Sequence, residues 1–414
     1  MQIAFKKDNQ YYKFCLYGFF KNLRFFEPFL ILFFLEKEIT FFQIGIIYAT
    51  REILINILEI PSGIAADVFG RKKSLIVSFL FYILSFIVFY LSGSFSLFIL
   101  AIVFYAIGDS FRTGTHKAMI FDYLRIKEWK DQRAHYYGHT RSWSQIGSAI
   151  SSLIAASIVF YTGNYKSIFL FSTIPYLLDL FLISTYPKEL DGDQYSLKAE
   201  KIKEKTFKVF RDFIFSFKNK QILKAITNLS VHSGFHRAIK DYLQPIIQTF
   251  ALSIPIILSL KDQQRSAILI GISYFVIYIL TSIASRKAGK LKDKLKSMET
   301  ALNVTMYIGF IFAFLSGLFY HYSFYFISIV FYIFIYLIEN LRNPIGVAYV
   351  SELYQDEILA TALSTNSQAK SLVAAIIAPL IGLLADNFGI GLGLSLIALI
   401  IILSTPLYRI SKKT

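Results

Sequence analysis

Long runs of apolar residues, separated by short polar segments, recur along the whole chain. Each run approaches the ~20 residues that an α-helix needs to cross the hydrocarbon core of a bilayer. Strands of an outer-membrane barrel would be shorter and would alternate between apolar and polar residues. The pattern therefore predicts an all-α polytopic membrane protein with twelve transmembrane helices, at 14–35, 42–64, 75–92, 97–121, 138–160, 166–186, 225–250, 266–285, 299–319, 323–345, 360–385 and 390–408.

The composition agrees with a membrane protein. Of the 414 residues, 55% are hydrophobic and 17% are charged, whereas soluble domains carry roughly 25% charged residues. Cys15 is the only cysteine, so the sequence excludes a disulfide framework and a thiolate metal cluster. We expect no cofactor and no bound metal. No convincing nucleophile–base pair lies within a span, so we do not expect an enzyme.

The positive charge lies mainly between the spans. A net charge of +16 also occurs in nucleic-acid-binding proteins, but the cations here follow the even-numbered spans, as at 71–73, 125–133 and 286–296. The positive-inside rule then places both termini and the charged linker at 191–224 in the cytoplasm. We expect a multi-pass protein of the cell (inner/cytoplasmic) membrane whose partners are the lipid bilayer and a small molecule, with no nucleic acid.

The two halves of the chain follow the same plan. The linker at 191–224 divides the spans into two six-helix bundles, at 1–190 and 225–414, and internal repeats are common among transporters. Three matches at nearly one offset support a duplication: Gly63 and Asp67 with Gly289 and Asp293; Arg112, Ala118 and Asp122 with Arg342, Ala348 and Glu352; and 134–150 with 360–376.

The segment between spans 2 and 3 carries the motif Gly63-x-x-x-Asp67-x-x-Gly70-Arg71. Gly63 would let two helices approach closely, and Gly70 can adopt the positive φ of a tight turn. Asp67, at a helix end, can accept backbone N–H bonds from a neighbouring helix N-terminus or pair with a cation. An ordinary positive-inside turn needs cations but neither glycine nor aspartate, so we interpret the motif as part of a gate.

This motif, the six-plus-six plan and the long middle loop resemble the major facilitator superfamily, as do the segments at 59–63 (EIPSG) and 378–386 (APLIGLLAD). The resemblance covers the whole chain in topology. It implies two pseudo-symmetric bundles and a secondary transporter that works by alternating access around one central site; we expect a monomer. It also implies that Asp67 meets the start of span 11, at 361–364, and that Arg71 pairs with Asp122 to hold the cytoplasmic side shut.

Charged residues within the spans are the candidates for substrate binding. A charge near the bilayer centre costs about 2.5–3.5 kcal/mol on insertion scales, so such residues are functional candidates by default. In the resembling family, spans 1, 4, 7 and 10 line the central cavity. Cations exceed acids there, which favours a small anionic organic solute. We expect these residues to bind it: Arg24, Arg112, His116, Arg237, Lys240, Arg342 and Lys370.

A second set of residues would balance charge or carry protons: Glu27, Asp109, His236 and Glu339. Imidazole titrates near physiological pH, so a histidine can serve in proton coupling; His116 is a further candidate for this role. Glu339 and Arg342, three residues apart, can neutralise each other. For Lys21, Lys117 and Arg141 the alternative remains open that they form gate salt bridges or extend to the membrane interface.

Other functions remain as alternatives. A multidrug/proton antiporter is the main one, although the Gly-rich, Pro-containing motif that such family members often carry on span 5 is missing from 141–156. The pairs His135/His139 and His232/His236 have a spacing that can bind a divalent metal, but no carboxylate pair accompanies either. A non-transporting membrane receptor stays open as well.

Overall fold

The computed structural model describes residues 7–129, 132–191, 211, 220–255, 258–353 and 359–411. The predicted linker at 191–224 lies largely outside these residues. The N-terminal helices are α1 Asn9–Lys21, α2 Leu30–Glu36, α3 Phe41–Phe69, α4 Arg71–Leu91, α5 Phe95–Arg112, α6 Thr115–Ile126, α7 Arg133–Thr162 and α8 Ser167–Ser184. The C-terminal helices are α9 Lys220–Ile239, α10 Leu243–Ser253, α11 Asp262–Arg286, α12 Ala288–Lys294, α13 Met298–His321, α14 Tyr325–Leu353 and α15 Leu359–Tyr408.

Helical segments occupy every predicted span position in the described part of the chain. By length and composition, nine helices there are able to cross a membrane. Predicted spans 11 and 12 lie in one of these, α15, which breaks at Gly389 (φ 80°, ψ 161°). The prediction of an α-helical polytopic membrane protein is therefore confirmed.

Predicted spans 1 and 7 are broken helices, and neither is among these nine helices. In span 1, α1 ends at Lys21 and a short 3₁₀ turn at Glu27–Phe29 leads into α2. In span 7, a 3₁₀ turn at Lys240–Tyr242 separates α9 from α10. Span 4 also breaks, because Gly114 adopts a φ of 81° between α5 and α6. Each break lies beside charged candidate residues.

By packing, the described residues form two compact units, one within Met1–Pro28 and Leu54–Glu204 (unit 1) and the other within Phe29–Ile53 and Lys205–Thr414 (unit 2). The predicted bundles at 1–190 and 225–414 stay a prediction. The two packing units differ from the predicted bundles in one segment: residues 29–53 pack with the C-terminal helices in unit 2.

In unit 1 small residues bring helices together. A Cβ at Gly108 of α5 would lie 2.9 Å from the Ser78 carbonyl oxygen of α4, and the Ser78 hydroxyl donates to the Gly108 carbonyl at 2.6 Å. Between α1 and α7, a Cβ at Gly18 would lie 2.8 Å from the Ser144 hydroxyl oxygen. Small residues let membrane helices pack closely, and van der Waals contact then stabilises the bundle.

In unit 2 the segment at 29–53 is held by polar side chains of the C-terminal helices. Asp386 of α15 accepts backbone N–H bonds from Phe41 (2.9 Å) and Phe42 (2.8 Å) at the start of α3. Gln244 of α10 accepts the N–H of Ile31 at the start of α2 (2.8 Å). The first N–H groups of a helix have no partner within it, so each contact satisfies donors that would otherwise be exposed to an apolar surrounding.

The close approach expected at Gly63 is found instead at Gly382 of α15. In unit 1 no described atom lies within 4 Å of a Cβ placed on Gly63, whereas a Cβ at Gly382 would overlap the Phe41 carbonyl oxygen of α3. Gly382 belongs to a further stretch with the spacing of the spans 2–3 motif, Gly382-x-x-x-Asp386-x-x-Gly389, in addition to Gly289 and Asp293. The final glycines, Gly70 and Gly389, both have positive φ, 102° and 80°.

These two glycines at the same motif position should respond differently to one added methyl group. Gly382→Ala should lower the free energy of unfolding by about 1–3 kcal/mol, since α15 must move away from α3. Gly63→Ala should leave stability unchanged or raise it by up to about 1 kcal/mol, because alanine is favoured over glycine within a helix. Thermal unfolding of the purified variants in one detergent would compare them. Equal effects at the two positions would contradict the proposed close contact of α3 and α15.

Candidate functional site

A basic cavity of about 350 Å³ lies in unit 1 among α1, the joint between α5 and α6, and α7. Gly114 lines it, so the break in span 4 opens directly onto it. Its ionisable lining groups in the described part of the chain are four cations, a histidine and two tyrosines, with no carboxylate: Lys21, Arg112, Lys117, Arg141, His116, Tyr17 and Tyr137. Such a wall favours a negatively charged ligand.

Arg112, at the end of α5, is held by a neighbouring acid. Its Nη2 lies 2.6 Å and its Nε 3.1 Å from Asp109 Oδ1. The Tyr82 hydroxyl of α4 donates to the same carboxylate oxygen at 2.6 Å and accepts from Arg112 Nε at 3.0 Å. Asp109 therefore neutralises Arg112, and the surplus charge of the cavity comes from Lys21, Lys117 and Arg141.

His116 is held between aromatic rings. Its imidazole stacks on Tyr17 with ring centroids 3.6 Å apart, and Phe14 packs edge-on against it at 5.5 Å. Nε2 forms a hydrogen bond of 3.2 Å with the hydroxyl of Tyr186, which follows α8. These contacts fix the orientation of the imidazole in the cavity wall.

Lys117 and Arg141 lie in the outer part of the cavity wall. The Lys117 ammonium is 5.2 Å from the ring centroid of Tyr137 and 5.5 Å from that of Phe121. These are cation–π distances, and they leave an ammonium able to bind an anion as well. Arg141 is exposed. The sequence left open whether these residues were interfacial; the structure places both in the lining of the cavity.

The remaining candidates of span 1 are not in the cavity lining. Arg24 follows α1, and its buried Nε has no hydrogen-bond partner among the described residues. It interacts electrostatically with Tyr105, Tyr176 and the two acids Glu27 and Asp109. Arg24 and Glu27 thus belong to a charged cluster next to the Arg112–Asp109 pair.

In unit 2, Glu339 of α14 pairs with residues of α9 and not with Arg342. His232 Nδ1 lies 2.9 Å from Glu339 Oε2, and the Ser233 hydroxyl donates to Glu339 Oε1 at 2.7 Å. His236, one turn along α9, packs edge-on against Tyr336 with ring centroids 5.0 Å apart. Glu339 and Arg342 form no salt bridge, and the α9 partners occupy both carboxylate oxygens.

Arg342 lies in the packed interior of unit 2, with 1% of its surface exposed. Its Nη1 donates to the Leu302 carbonyl and to the Thr305 hydroxyl (3.1 Å) of α13. Its Nη2 donates to the Asn228 carbonyl (3.0 Å) and to the Asn228 side-chain oxygen of α9. The side chain joins three helices, and both of its Nη atoms donate hydrogen bonds within the protein.

Of the other candidate cations of unit 2, Arg237 pairs with an acid and Lys370 contacts a side-chain amide. Arg237 Nη1 lies 3.2 Å from Glu52 Oε2 of α3 and 3.0 Å from the Ser371 hydroxyl of α15. Glu52 follows Arg51 within the apolar run of predicted span 2. A charged residue inside a span is a functional candidate, so the sequence does contain a signal for Glu52. Lys370 Nζ contacts the Asn343 side-chain oxygen at 3.4 Å.

Lys240 lies in the 3₁₀ turn that breaks span 7. Its Nζ is 3.8 Å from Asp241 Oδ1, and Tyr48 of α3 donates to Asp241 Oδ2 at 2.9 Å. Sequence spacing could not identify Tyr48, because it is 193 residues away from Asp241.

The predicted gate residues of unit 1 surround the start of α4. Arg71 Nη1 contacts the Asp122 carboxylate of α6, which is the pair that the family resemblance implied. Arg125 Nη2 lies 3.3 Å from the other Asp122 oxygen, and Gly70 provides the turn with its φ of 102°. The expected partner of Asp67, at 361–364, falls mostly on side chains outside the described part of the chain.

Within the described residues, no group of three or more His, Cys, Asp or Glu side chains is placed to hold a metal ion. His232 of the predicted pair instead binds Glu339. The His135 side chain lies outside the described part of the chain.

Comparison with known proteins assigns the family. A sequence model of the Major Facilitator Superfamily matches residues 14–341. The chain belongs to the Major Facilitator Superfamily. It is thus a multi-pass membrane transporter. A superfamily relative, the Bacillus subtilis (strain 168) "Uncharacterized MFS-type transporter YxaM", is 26% identical over 406 residues, covering 94% of this chain and 92% of the relative.

Solved transporters share the superfamily fold. The nucleoside transporter NupG superposes with a TM-score of 0.76 at 13% identity, covering 98% of this chain and 100% of that one. A POT family peptide transporter in complex with sulfate gives 0.73 at 14% identity, covering 100% and 97%. A POT family transporter in complex with 5-aminolevulinic acid gives 0.73 at 15% identity, covering 99% and 98%. At these identities the likeness shows the fold alone.

Two arginines, the buried Arg342 and the exposed Arg141, should differ in their effect on stability. Arg342→Met removes hydrogen bonds to α9 and α13 in the protein interior, so we expect the free energy of unfolding to fall by about 1–3 kcal/mol. Arg141→Met changes an exposed side chain and should stay within about 0.5 kcal/mol of the parent. Chemical unfolding in detergent measures both. A stable Arg342→Met protein would show that this arginine does not hold the three helices together.

Proposed function

We propose that this transporter moves a small organic anion across the cell membrane by alternating access, with both chain termini in the cytoplasm. The cavity in unit 1 is the observation that carries the proposal: Lys21, Lys117 and Arg141 surround it, and no described carboxylate lines it. Cations exposed in a low-dielectric cavity attract an anion more strongly than the same cations in water. A bound anion would complete the charge balance that Asp109 provides only for Arg112.

The remaining sequence candidates divide into two groups under this proposal. Arg24, Arg237, Lys240 and Lys370 remain candidates for contact with the anion during the transport cycle. We leave Arg342 out, because it is buried and both of its Nη atoms bind Leu302, Thr305 and Asn228.

Proton coupling is the second part of the proposal. Glu339 shares its carboxylate with His232 and Ser233, and His236 lies one turn away on α9. A carboxylate and imidazoles in contact can exchange a proton, because histidine titrates in the physiological range. Glu27 and Asp109 remain candidates for charge balance, since both lie beside the cations of unit 1.

The third part of the proposal is a cytoplasmic gate formed by Gly63, Asp67, Gly70, Arg71 and Asp122. The contact between Arg71 and Asp122 supports it by fixing the start of α4 on α6. Because two charges meet at this one point, breaking the pair would alter the conformational equilibrium without touching the anion site.

The substrate class follows from the cavity and not from the solved relatives. Those relatives are described with nucleosides, peptides, sulfate or 5-aminolevulinic acid, and their fold does not discriminate among solutes. A multidrug/proton antiporter would instead favour cationic ligands, which the surplus of positive charge in this cavity opposes.

Uptake into proteoliposomes separates these functions. A panel of radiolabelled mono- and dicarboxylates and sugar phosphates should include transported compounds, whereas the lipophilic cation tetraphenylphosphonium should not accumulate. Lys117→Gln or Arg141→Gln should weaken binding of a transported anion about tenfold, which corresponds to one charged contact of about 1.4 kcal/mol. Lys290→Gln, an exposed cation on α12, serves as the control. Accumulation of tetraphenylphosphonium that persists in Arg112→Ala would contradict the anion proposal.

The gate pair should affect turnover and not affinity. Asp122→Asn leaves Arg71 without its acid, so we expect slower net uptake while the dissociation constant of the transported anion is unchanged. The measurement is initial uptake rate beside equilibrium binding on the same preparation, with Glu189→Gln, an exposed acid of unit 1, as the control. A large loss of affinity at a normal rate of exchange would show that Asp122 belongs to the binding site.

A further inference from the structure

A second basic cavity, of about 680 Å³, lies in unit 2 where the start of α9, the start of α13 and the end of α15 meet (the helix-end cavity). It has no role in the site described above. Its charged lining residues are Lys224 of α9 and Arg409, which follows α15, and no carboxylate of the described residues lines it. Thr300, Tyr307 and Ser411 add hydroxyl groups. Cations and hydroxyl donors are the groups that bind a phosphate.

The backbone on both sides of Arg409 is held by two buried amide side chains. Asn228 Nδ2 donates to the Tyr408 carbonyl at 3.3 Å. Asn303 of α13 donates to the Ile410 carbonyl at 2.8 Å and accepts the Ile410 N–H at 3.0 Å. Segments that follow a last helix are poorly ordered unless they are tied down. Here the ties fix the place from which the Arg409 side chain enters the cavity lining.

The helix-end cavity lies at the edge of the bilayer. The helices that form it reach the same membrane surface, because predicted spans 7 and 9 begin here and predicted span 12 ends here. Phospholipid phosphates occupy this interfacial layer, outside the hydrocarbon core. The orientation expected from the positive-inside rule makes this the cytoplasmic surface, and anionic lipids give the cytoplasmic leaflet its negative potential.

An exposed apolar surface continues from the helix-end cavity along two of its helices. On α15, Leu403 lies one turn from the lining residue Pro406 and is 71% exposed, and Leu399, one turn further, is 39% exposed. On α13, Ile311 lies one turn from the lining residue Tyr307 and is 43% exposed. Residues three or four apart share a helix face, so the apolar surface adjoins the cations as acyl chains adjoin a lipid phosphate.

We propose that the helix-end cavity binds one anionic glycerophospholipid. Lys224 and Arg409 bind its phosphate, and its acyl chains lie along the exposed apolar faces of α13 and α15. A soluble phosphate would use the cations but not the apolar surface. A zwitterionic lipid would bring an ammonium group next to two cations, and no described carboxylate lines the cavity to pair with it. The ligand is therefore a lipid with net negative charge.

Native mass spectrometry of the full-length protein in detergent, titrated with phosphatidylglycerol, tests the site. We expect one phosphatidylglycerol to bind more tightly than the next, and more tightly than phosphatidylcholine with the same chains. Lys224→Gln and Arg409→Gln should each weaken this first binding step about fivefold, the effect of one cation near an anionic lipid surface. The matched controls Lys290→Gln and Arg286→Gln remove exposed cations outside the cavity lining and should leave it unchanged.

Thermal unfolding in detergent gives a second readout. A ligand that binds only the folded protein raises its melting temperature, so phosphatidylglycerol should stabilise the parent more than the double variant Lys224→Gln/Arg409→Gln. Inorganic phosphate and glycerophosphoglycerol, the headgroup without chains, should neither stabilise the parent nor displace the bound lipid. Val304→Phe keeps both cations and fills the cavity, so it should also lose the tightly bound lipid. This variant decides the matter if the double variant does not fold.

Three outcomes would overturn the proposal. Equal affinity for phosphatidylglycerol in the double variant and in Lys290→Gln/Arg286→Gln would show that the cavity is not the binding site. Phosphatidylcholine that binds as tightly as phosphatidylglycerol would show that negative charge is not required. Displacement of the lipid by inorganic phosphate or glycerophosphoglycerol would show that the site takes a soluble anion. None of these measurements involves transport, so the lipid site and the proposed function stand or fall separately.

Discussion

Charge taken out of water must be paired, and this constraint organises both units. An unpaired ion in a low-dielectric interior costs several kcal/mol, whereas a pair with good hydrogen bonds offsets most of that penalty. Asp109 holds Arg112, Glu339 holds His232, and Glu52 holds Arg237. Because most of these partners lie on different helices, the pairs also fix how the helices pack. The pairing stops at the basic cavity of unit 1, where no carboxylate of the described residues lines the wall.

The same constraint explains why 29–53 pack with the C-terminal helices. The helix starts of α2 and α3 present N–H groups that have no intrahelical acceptor, and Gln244 and Asp386 supply one for each. Gly45 and Gly382 then allow the backbones of α3 and α15 to touch, since a Cβ at either position would meet the other helix. α3 is continuous across this boundary, so its two halves pack in different units.

Backbone breaks place polar groups inside an otherwise regular bundle. Gly114 divides span 4 next to Arg112, and 3₁₀ turns divide spans 1 and 7 beside Glu27 and Lys240. A continuous helix would bury its amides completely and offer a ligand only side chains. Gly114, at the break in span 4, lines the cavity of unit 1. Each of these helix breaks therefore lies next to a charged residue of the same span.

The sequence by itself determined the fold class and the family, because apolar runs of bilayer length and a motif of fixed spacing are local properties of the chain. It also named residues that lie in the cavity wall, such as Arg112 and His116, since rare charges within apolar runs stand out. Which charge pairs with which was decided by the tertiary structure. Glu339 is three residues from Arg342 yet binds His232, 107 residues away, and Arg342 binds carbonyl groups in the interior. Pairing depends on which helices touch, and those long-range contacts leave no trace in local spacing.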